Sequence, residues 1–307
     1  MDSRGLLPNL LIPGVAKSGT SSLAWYLSQH PDVCPGDRKE IDYFTPLRNG
    51  LPPLGSLEDY GRHFSHYAGQ AYRLDASVHY FDGGRSVVDA IHGHLGEPRS
   101  IIALRNPVER LWSCYRHKLE LGKLDPTVTF RSFFETCRAL SSSGEDRLYQ
   151  WRKYRDLAVG NYIDTLRHWF EVFDDGVQIV FLEHFSQDPH LALRKLCAWL
   201  EIDSSPVDDF DFPVRNKTIA PRSLALNELA EAVNLRVDRH FHRFPKAKSW
   251  LRSAYAAVNA KGEHEGLSPQ DRAMVGEYYE PANRALLKEL VRRGYRDVPR
   301  WMSGVPG

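Results

Sequence analysis

Two short segments of this 307-residue chain combine residue types and spacings suited to holding anions. The first is Gly14-Val15-Ala16-Lys17-Ser18-Gly19-Thr20-Ser21-Ser22-Leu23, which follows an apolar run and leads into the helical Ala24-Trp25-Tyr26-Leu27. Small residues let a backbone approach an anion closely, the hydroxyls of Thr20, Ser21 and Ser22 donate, and the N–H groups that open a helix point at the ligand. A Walker loop, GxxxxGK[ST], is not present, because Thr20 stands where that lysine belongs and Lys17 lies three residues earlier. From that side Lys17 reaches a different oxygen from the β/γ region that a nucleoside triphosphatase serves. A plain helix-capping turn is the alternative reading.

The second segment is Arg105-Asn106-Pro107-Val108-Glu109-Arg110-Leu111-Trp112-Ser113-Cys114-Tyr115. Pro107 suits the first turn of a helix and turns Asn106 away from helical geometry, so Arg105 sits at a strand end and Ser113 about two turns along the helix. An arginine there grips a phosphate through two donors, and Ser113 adds a hydroxyl. A salt-bridged or solvent-facing Arg105 is the alternative.

The elements that must position these segments are legible as short apolar runs. Leu10 to Val15, Tyr72 to Asp75, Ser100 to Leu104 and Gln178 to Leu182 read as buried parallel strands. Tyr162, Leu166, Trp169 and Phe173 recur at helical spacing, as do Leu193, Leu196, Cys197 and Leu200. The alternation predicts an α/β fold, a central parallel β-sheet flanked by helices on both faces. In such a sheet ligands collect outside the carboxyl ends of the strands, so both anion segments would face one crevice. One ligand with two separated phosphoryl-type groups satisfies both.

Residues 46–57 and 203–213 read as surface connections, which leaves 1–307 as a single domain, with 221–265 a helical elaboration near the acceptor cleft. The basic stretch from Arg236 to Arg252 reads either as a solvated helix face or as an acceptor-binding rim. Forty Lys plus Arg against 39 Asp plus Glu leave a formal charge of +1, which provides no global field for a nucleic acid or an anionic membrane. The apolar stretch Leu6 to Val15 is broken by Pro8, Asn9 and Pro13, far short of the ~20 residues of a membrane span, and it has no basic leader before it. Cys34, Cys114, Cys137 and Cys197 are widely spaced, with no CxxC pair, and read as reduced, buried thiols of a cytoplasmic protein. No His/Cys/Asp group has metal-ligand spacing, so no metal is expected.

With these residues in place, the chain resembles the sulfotransferases that use 3′-phosphoadenosine 5′-phosphosulfate (PAPS), which share a P-loop-like nucleotide-binding fold. Gly14 to Leu23 resembles their 5′-phosphosulfate loop, and Arg105 to Ser113 their 3′-phosphate motif. Lys39-Glu40-Ile41-Asp42-Tyr43-Phe44 is similar to the K-E-x-H-F-F segment of the heparan-sulfate-type branch. Asn216-Lys217-Thr218 resembles the start of its adenosine-covering loop, and Tyr278 to Asn283 its C-terminal helix. The resemblance implies that Lys17 contacts the bridging oxygen and the 5′-phosphate, that Ser18, Gly19, Thr20, Ser21 and Ser22 cradle that end, and that Arg105 and Ser113 hold the 3′-phosphate. It further implies Glu40 as general base, a loop from Asn216 to Arg222 over the nucleotide, and Arg222 as a 3′-phosphate ligand. The chain departs from the branch in three places: Asp42 replaces a histidine, Leu74 to Tyr80 lacks the lysine of an E-K-T-P-x-Y-like segment, and the disulfide-bearing C-terminal loop is absent. These departures resemble a soluble bacterial-type member.

The implied reaction is in-line transfer of a sulfuryl group from PAPS to a carbohydrate or natural-product hydroxyl, with PAP as product, no metal, and catalysis largely by positioning and electrostatics. His79 is a further candidate base or acceptor contact. Two other classes of function remain open on the residues: a nucleotide kinase, which would recruit Mg²⁺, and a noncatalytic nucleotide-binding module. The sequence does not set the oligomeric state.

Overall fold

A computed structural model of the chain describes residues 6–145, 148–212 and 266–302. Asn216, Arg222, the 221–265 elaboration and the stretch from Arg236 to Arg252 lie outside the described residues. Five strands, β1 (Leu10–Gly14), β2 (Val33–Pro35), β3 (Tyr72–Asp75), β4 (Arg99–Leu104) and β5 (Val177–Phe181), form one parallel sheet in the order β2-β3-β1-β4-β5. Around it the first described helices are α1 (Thr20–Leu27), α2 (Leu57–Arg62), α3 (Gly84–Leu95), α4 (Pro107–Glu120) and α5 (Phe130–Ser143). Then come α6 (Asp156–Val159), α7 (Tyr162–Phe173), α8 (Leu182–Gln187), α9 (Pro189–Leu200) and α10 (Pro269–Arg292).

The central strands alternate their side chains between two cores, as a period of two requires. Leu10 and Ile12 of β1 and Ile101 and Ala103 of β4 pack with Leu23 and Leu27 of α1 and Leu193, Leu196 and Leu200 of α9. Leu11, Ile102 and Leu104 pack on the other face with α3, with Leu166 and Trp169 of α7, and with Leu286 and Leu290 of α10. The helices at 162–173 and 189–200 therefore bury the faces that their spacing predicts. A third cluster joins α4 and α5 to α10 through Leu111, Phe133 and Tyr279.

All four predicted strands are present to within a residue at each end. The short edge strand β2, Val33-Cys34-Pro35, carries too little pattern to be read in advance. Of residues 203–213, expected as a surface connection, the described part, 203–212, is more deeply seated: Val207 is fully buried, and Phe210 and Phe212 pack against the α1/α9 core. All four cysteines are buried, and none forms a disulfide. Among the described residues no helix is long and apolar enough to cross a membrane, and no group of three or more His, Cys, Asp or Glu side chains could hold a metal ion.

Candidate active site

β1 lies between β3 and β4, the point at which the strand order reverses, so the loops that leave β1 and β4 flank one crevice. β1 ends at Gly14, a position that admits only glycine because a Cβ there would lie 2.4 Å from the Cβ of Phe81. The chain then turns through two left-handed residues, Lys17 with φ 69° and Gly19 with φ 82°. Gly19 opens α1 without a side-chain cap, and no acidic residue lies in the first turn. No described group accepts from the N–H of Gly19, Thr20 or Ser21, so the positive end of the helix is left to an external anion.

At the end of β4 the backbone of Arg105 is held from two sides. The Tyr162 hydroxyl donates to its carbonyl at 2.8 Å. The next N–H, that of Asn106, donates to Glu183 Oε1 at 2.7 Å. Asn106 then caps α4, its side-chain oxygen accepting from the Val108 N–H at 3.0 Å, with Pro107 in the first turn. The Arg105 guanidinium crosses to the first loop and donates to the Lys17 carbonyl at 3.2 Å. The two anion segments thus meet through a direct bond.

Between them lies a cleft of about 510 Å³ lined by Lys17, Gly19, Thr20, Ser21, Ser22, Arg105 and Ser113. Ser18 is buried within the loop and does not line the cleft; its hydroxyl has no partner among the described residues. Burial lowers the Lys17 pKa, and Arg105 and Arg116 push it the same way against the opposing pull of Cys114 and Glu120. Tyr26, Trp112, Arg116, Phe185 and Phe212 also line the cleft, and the sequence reading missed them. Arg116 lies three residues beyond Ser113 on the same face of α4, a spacing that could have revealed it. Phe212 meets Tyr26 edge-on at 4.8 Å, a contact across 186 residues that no local signal announces. The arrangement offers an anion-binding end and an aromatic wall, the two halves of a nucleotide site.

Glu40 and His79 do not line this cleft. Glu40 sits in the loop after β2, its side chain 41% exposed and paired with Lys39. An adjoining hollow of about 320 Å³ shares Ser21 with the cleft and is walled by Trp25, Arg38, Lys39, Leu74 and Ala76. His79, half-buried in the turn after β3, lines neither space.

A parallel α/β sheet with an uncapped Gly/Ser loop after its central strand and an arginine at the neighbouring strand end defines a P-loop-like α/β protein. Residues 7–219 match the family model described as the sulfotransferase domain, and the chain belongs to that family. It is 26% identical over 211 residues to the bifunctional heparan sulfate N-deacetylase/N-sulfotransferase 1 of Caenorhabditis elegans, covering 66% of this chain and 23% of that protein. It is 23% identical over 312 residues to the Drosophila melanogaster bifunctional heparan sulfate N-deacetylase/N-sulfotransferase, covering 97% and 27%. The chain thus spans about a quarter of the length of these relatives. A sulfotransferase crystal structure from Alicyclobacillus acidocaldarius superposes with a TM-score of 0.65 at 23% identity, covering 96% of this chain and 98% of that one, and shows the same fold.

Proposed function

We propose that this chain transfers a sulfuryl group from PAPS to a hydroxyl of a carbohydrate or natural-product acceptor. The observation that carries the reading is the single cleft in which the Lys17 loop and the Arg105/Ser113 pair converge from two strand ends. A donor with anionic groups at both ends of one nucleoside fits that spacing of cations and donors, with Tyr26, Trp112 and Phe212 to receive its base. In this reading Lys17, with the free N–H groups of Gly19, Thr20 and Ser21, stabilises the charge that grows on the departing phosphate. Ser18 and Ser22 complete the loop, and Arg105 and Ser113 hold the 3′-phosphate. Glu40 takes the acceptor proton once it leaves Lys39, with His79 as the second candidate, and Asn216 and Arg222 close over the donor.

A nucleotide kinase is less well supported: the Walker lysine position holds Thr20, whereas Lys17 sits on the near side of the loop. The single-domain organisation, with 221–265 beside the acceptor cleft, belongs to the same proposal. So does a cytoplasmic setting, which four buried cysteines without a disulfide support, as does the absence of a nucleic-acid partner at a net charge of +1. No metal is assigned a role.

The test is PAPS turnover against a panel of hydroxyl- and amine-bearing glycans and small alcohols, with and without a chelator, for wild type, Lys17→Ala and Glu40→Gln. Turnover that survives the chelator and collapses in both variants is the expected result. Failure to bind or turn over PAPS overturns the proposal, full rate in Glu40→Gln overturns the base assignment alone, and transfer only to amines overturns the hydroxyl preference. Tight PAP binding without transfer to any acceptor would make the chain a binding module.

A further inference from the structure

Outside the donor cleft, the most costly polar group of the sheet is Asp75, the last residue of β3, which is 1% exposed. An interior carboxylate without a cation is retained only when its oxygens are hydrogen-bonded. No Lys or Arg pairs with Asp75 among the described residues. Three hydroxyls do: Ser77 donates to Oδ1 at 2.6 Å, and Tyr60 and Tyr80 donate to Oδ2 at 2.7 and 2.9 Å. Burial raises the Asp75 pKa, and the Ser77, Tyr60 and Tyr80 hydroxyls pull it back.

Each of these partners in turn holds the segment that follows Glu40. With its hydrogen committed to Asp75, the Ser77 oxygen is free to accept, and the Asp42 N–H donates to it at 2.9 Å. Tyr60 stacks on Tyr43 with ring centroids 4.4 Å apart and planes 4° from parallel. Phe44 meets Tyr60 and Tyr80 edge-on at 5.7 and 5.6 Å. The held segment needs such anchoring, because Glu40 and Asp42 adopt φ of 63° and 60°. Left-handed backbone costs an L-residue with a Cβ about 1–2 kcal/mol per position and persists only where the surroundings over-determine it. The Asp42 carboxylate closes the turn locally by accepting from the Thr45 hydroxyl at 2.7 Å.

We infer that Asp75 is a positioning residue for the acceptor-activating loop: through Ser77 and Tyr60 it fixes residues 42–44, and hence where Glu40 meets the acceptor. The inference rests on the reading of Glu40 as the base, but the anchoring itself is separately measurable. Substituting Asn at 75 places an amide donor where hydroxyls now donate. If it replaces Oδ2 it faces two phenolic hydrogens; if it replaces Oδ1 it displaces the Ser77 hydrogen. Either way the chain of donations from the Asp42 N–H through Ser77 to residue 75 is disturbed without loss of volume.

The experiment is hydrogen–deuterium exchange on the full chain, comparing wild type, Asp75→Asn and Ser77→Ala, together with PAP affinity by calorimetry. Steady-state transfer to an acceptor active in the panel above completes it. Exchange across residues 39–45 is expected to accelerate about tenfold or more in both variants, the loss of one well-made buried hydrogen bond. PAP affinity and KM for PAPS should stay within about twofold while kcat falls, a split between loop and donor site that general destabilisation would not produce. Ser77→Ala, which keeps the carboxylate and both phenols, decides the matter if Asp75→Asn fails to fold. Unchanged exchange across 39–45 overturns the anchoring. A loosened loop with unchanged kcat overturns the positioning role. A panel that yields no turnover defeats the sulfotransferase reading while the exchange result still stands.

Discussion

The two halves of the sheet end in opposite kinds of structure. On the β1/β4 side the loops expose cations and unpaired N–H donors to a cleft, and their own geometry is kept by backbone bonds: Tyr162 and Arg105 each spend a side-chain donor on a main-chain carbonyl. On the β2/β3 side the polar groups face inward, satisfied by one another around Asp75, and the exposed carboxylate of Glu40 depends on that interior for its place. One half is built to receive charge and the other to hold a single group still. In the proposed reaction a donor site needs unmet hydrogen-bonding capacity, whereas a base needs a fixed approach, and the two strand-end loops fit these separate demands.

The largest effect that separates the halves is expected from Arg105→Ala. It removes a charged donor from the cleft and the bond that ties the two anion loops, so PAP affinity should weaken by about 30- to 100-fold, or about 2–3 kcal/mol. Asp75→Asn should leave that affinity almost unchanged. Calorimetric titration of both variants checks the contrast, and equal losses would show that the halves are not independent.

A smaller effect tests the loop backbone alone. Gly19→Ala keeps every charged group but asks an L-residue to hold φ of 82°, with its Cβ 2.5 Å from Leu182 Cδ1. Stability should fall by about 1–2 kcal/mol from the left-handed backbone, read as a lower urea midpoint. Shortening Leu182 in the same chain relieves the contact but not the dihedral, so only part of the loss should return.

What was legible in the sequence follows the same division. The donor loop and the Arg105-to-Ser113 segment were readable because each is contiguous and its chemistry follows from spacing. Strands β1 and β4 were readable because burial on both faces leaves near-continuous apolar runs, whereas β3, Tyr-Arg-Leu-Asp, and β5, buried at alternate residues, carry a weaker pattern. Tyr26, Phe185 and Phe212 were not, since they come from three elements that meet only in the folded chain. The segment from Leu74 to Tyr80 drew notice for the lysine it lacks. The role proposed for it turns on Asp75, whose partner Tyr60 lies in a different element and gives no local pattern.

The finest test of the comparison is a pH dependence confined to the donor half. Burial, followed by Arg105 and Arg116 among the groups acting in the same direction, lowers the Lys17 pKa in the free protein. A bound anion favours the charged amine and raises that pKa again, so binding takes up a proton on the alkaline side and affinity falls as pH rises through the lowered value. PAP affinity should therefore be flat near neutrality and decline by about 3- to 10-fold at a pH below that of an ordinary lysine, the loss of one charge-assisted contact. Lys17→Arg, which stays charged throughout, should abolish the decline, and Glu40→Gln on the other half of the sheet should leave it intact. Calorimetry in two buffers of different ionisation enthalpy reads the proton uptake directly. A decline that survives in Lys17→Arg would assign the titration to another group in the cleft and remove Lys17 from the donor site's charge balance.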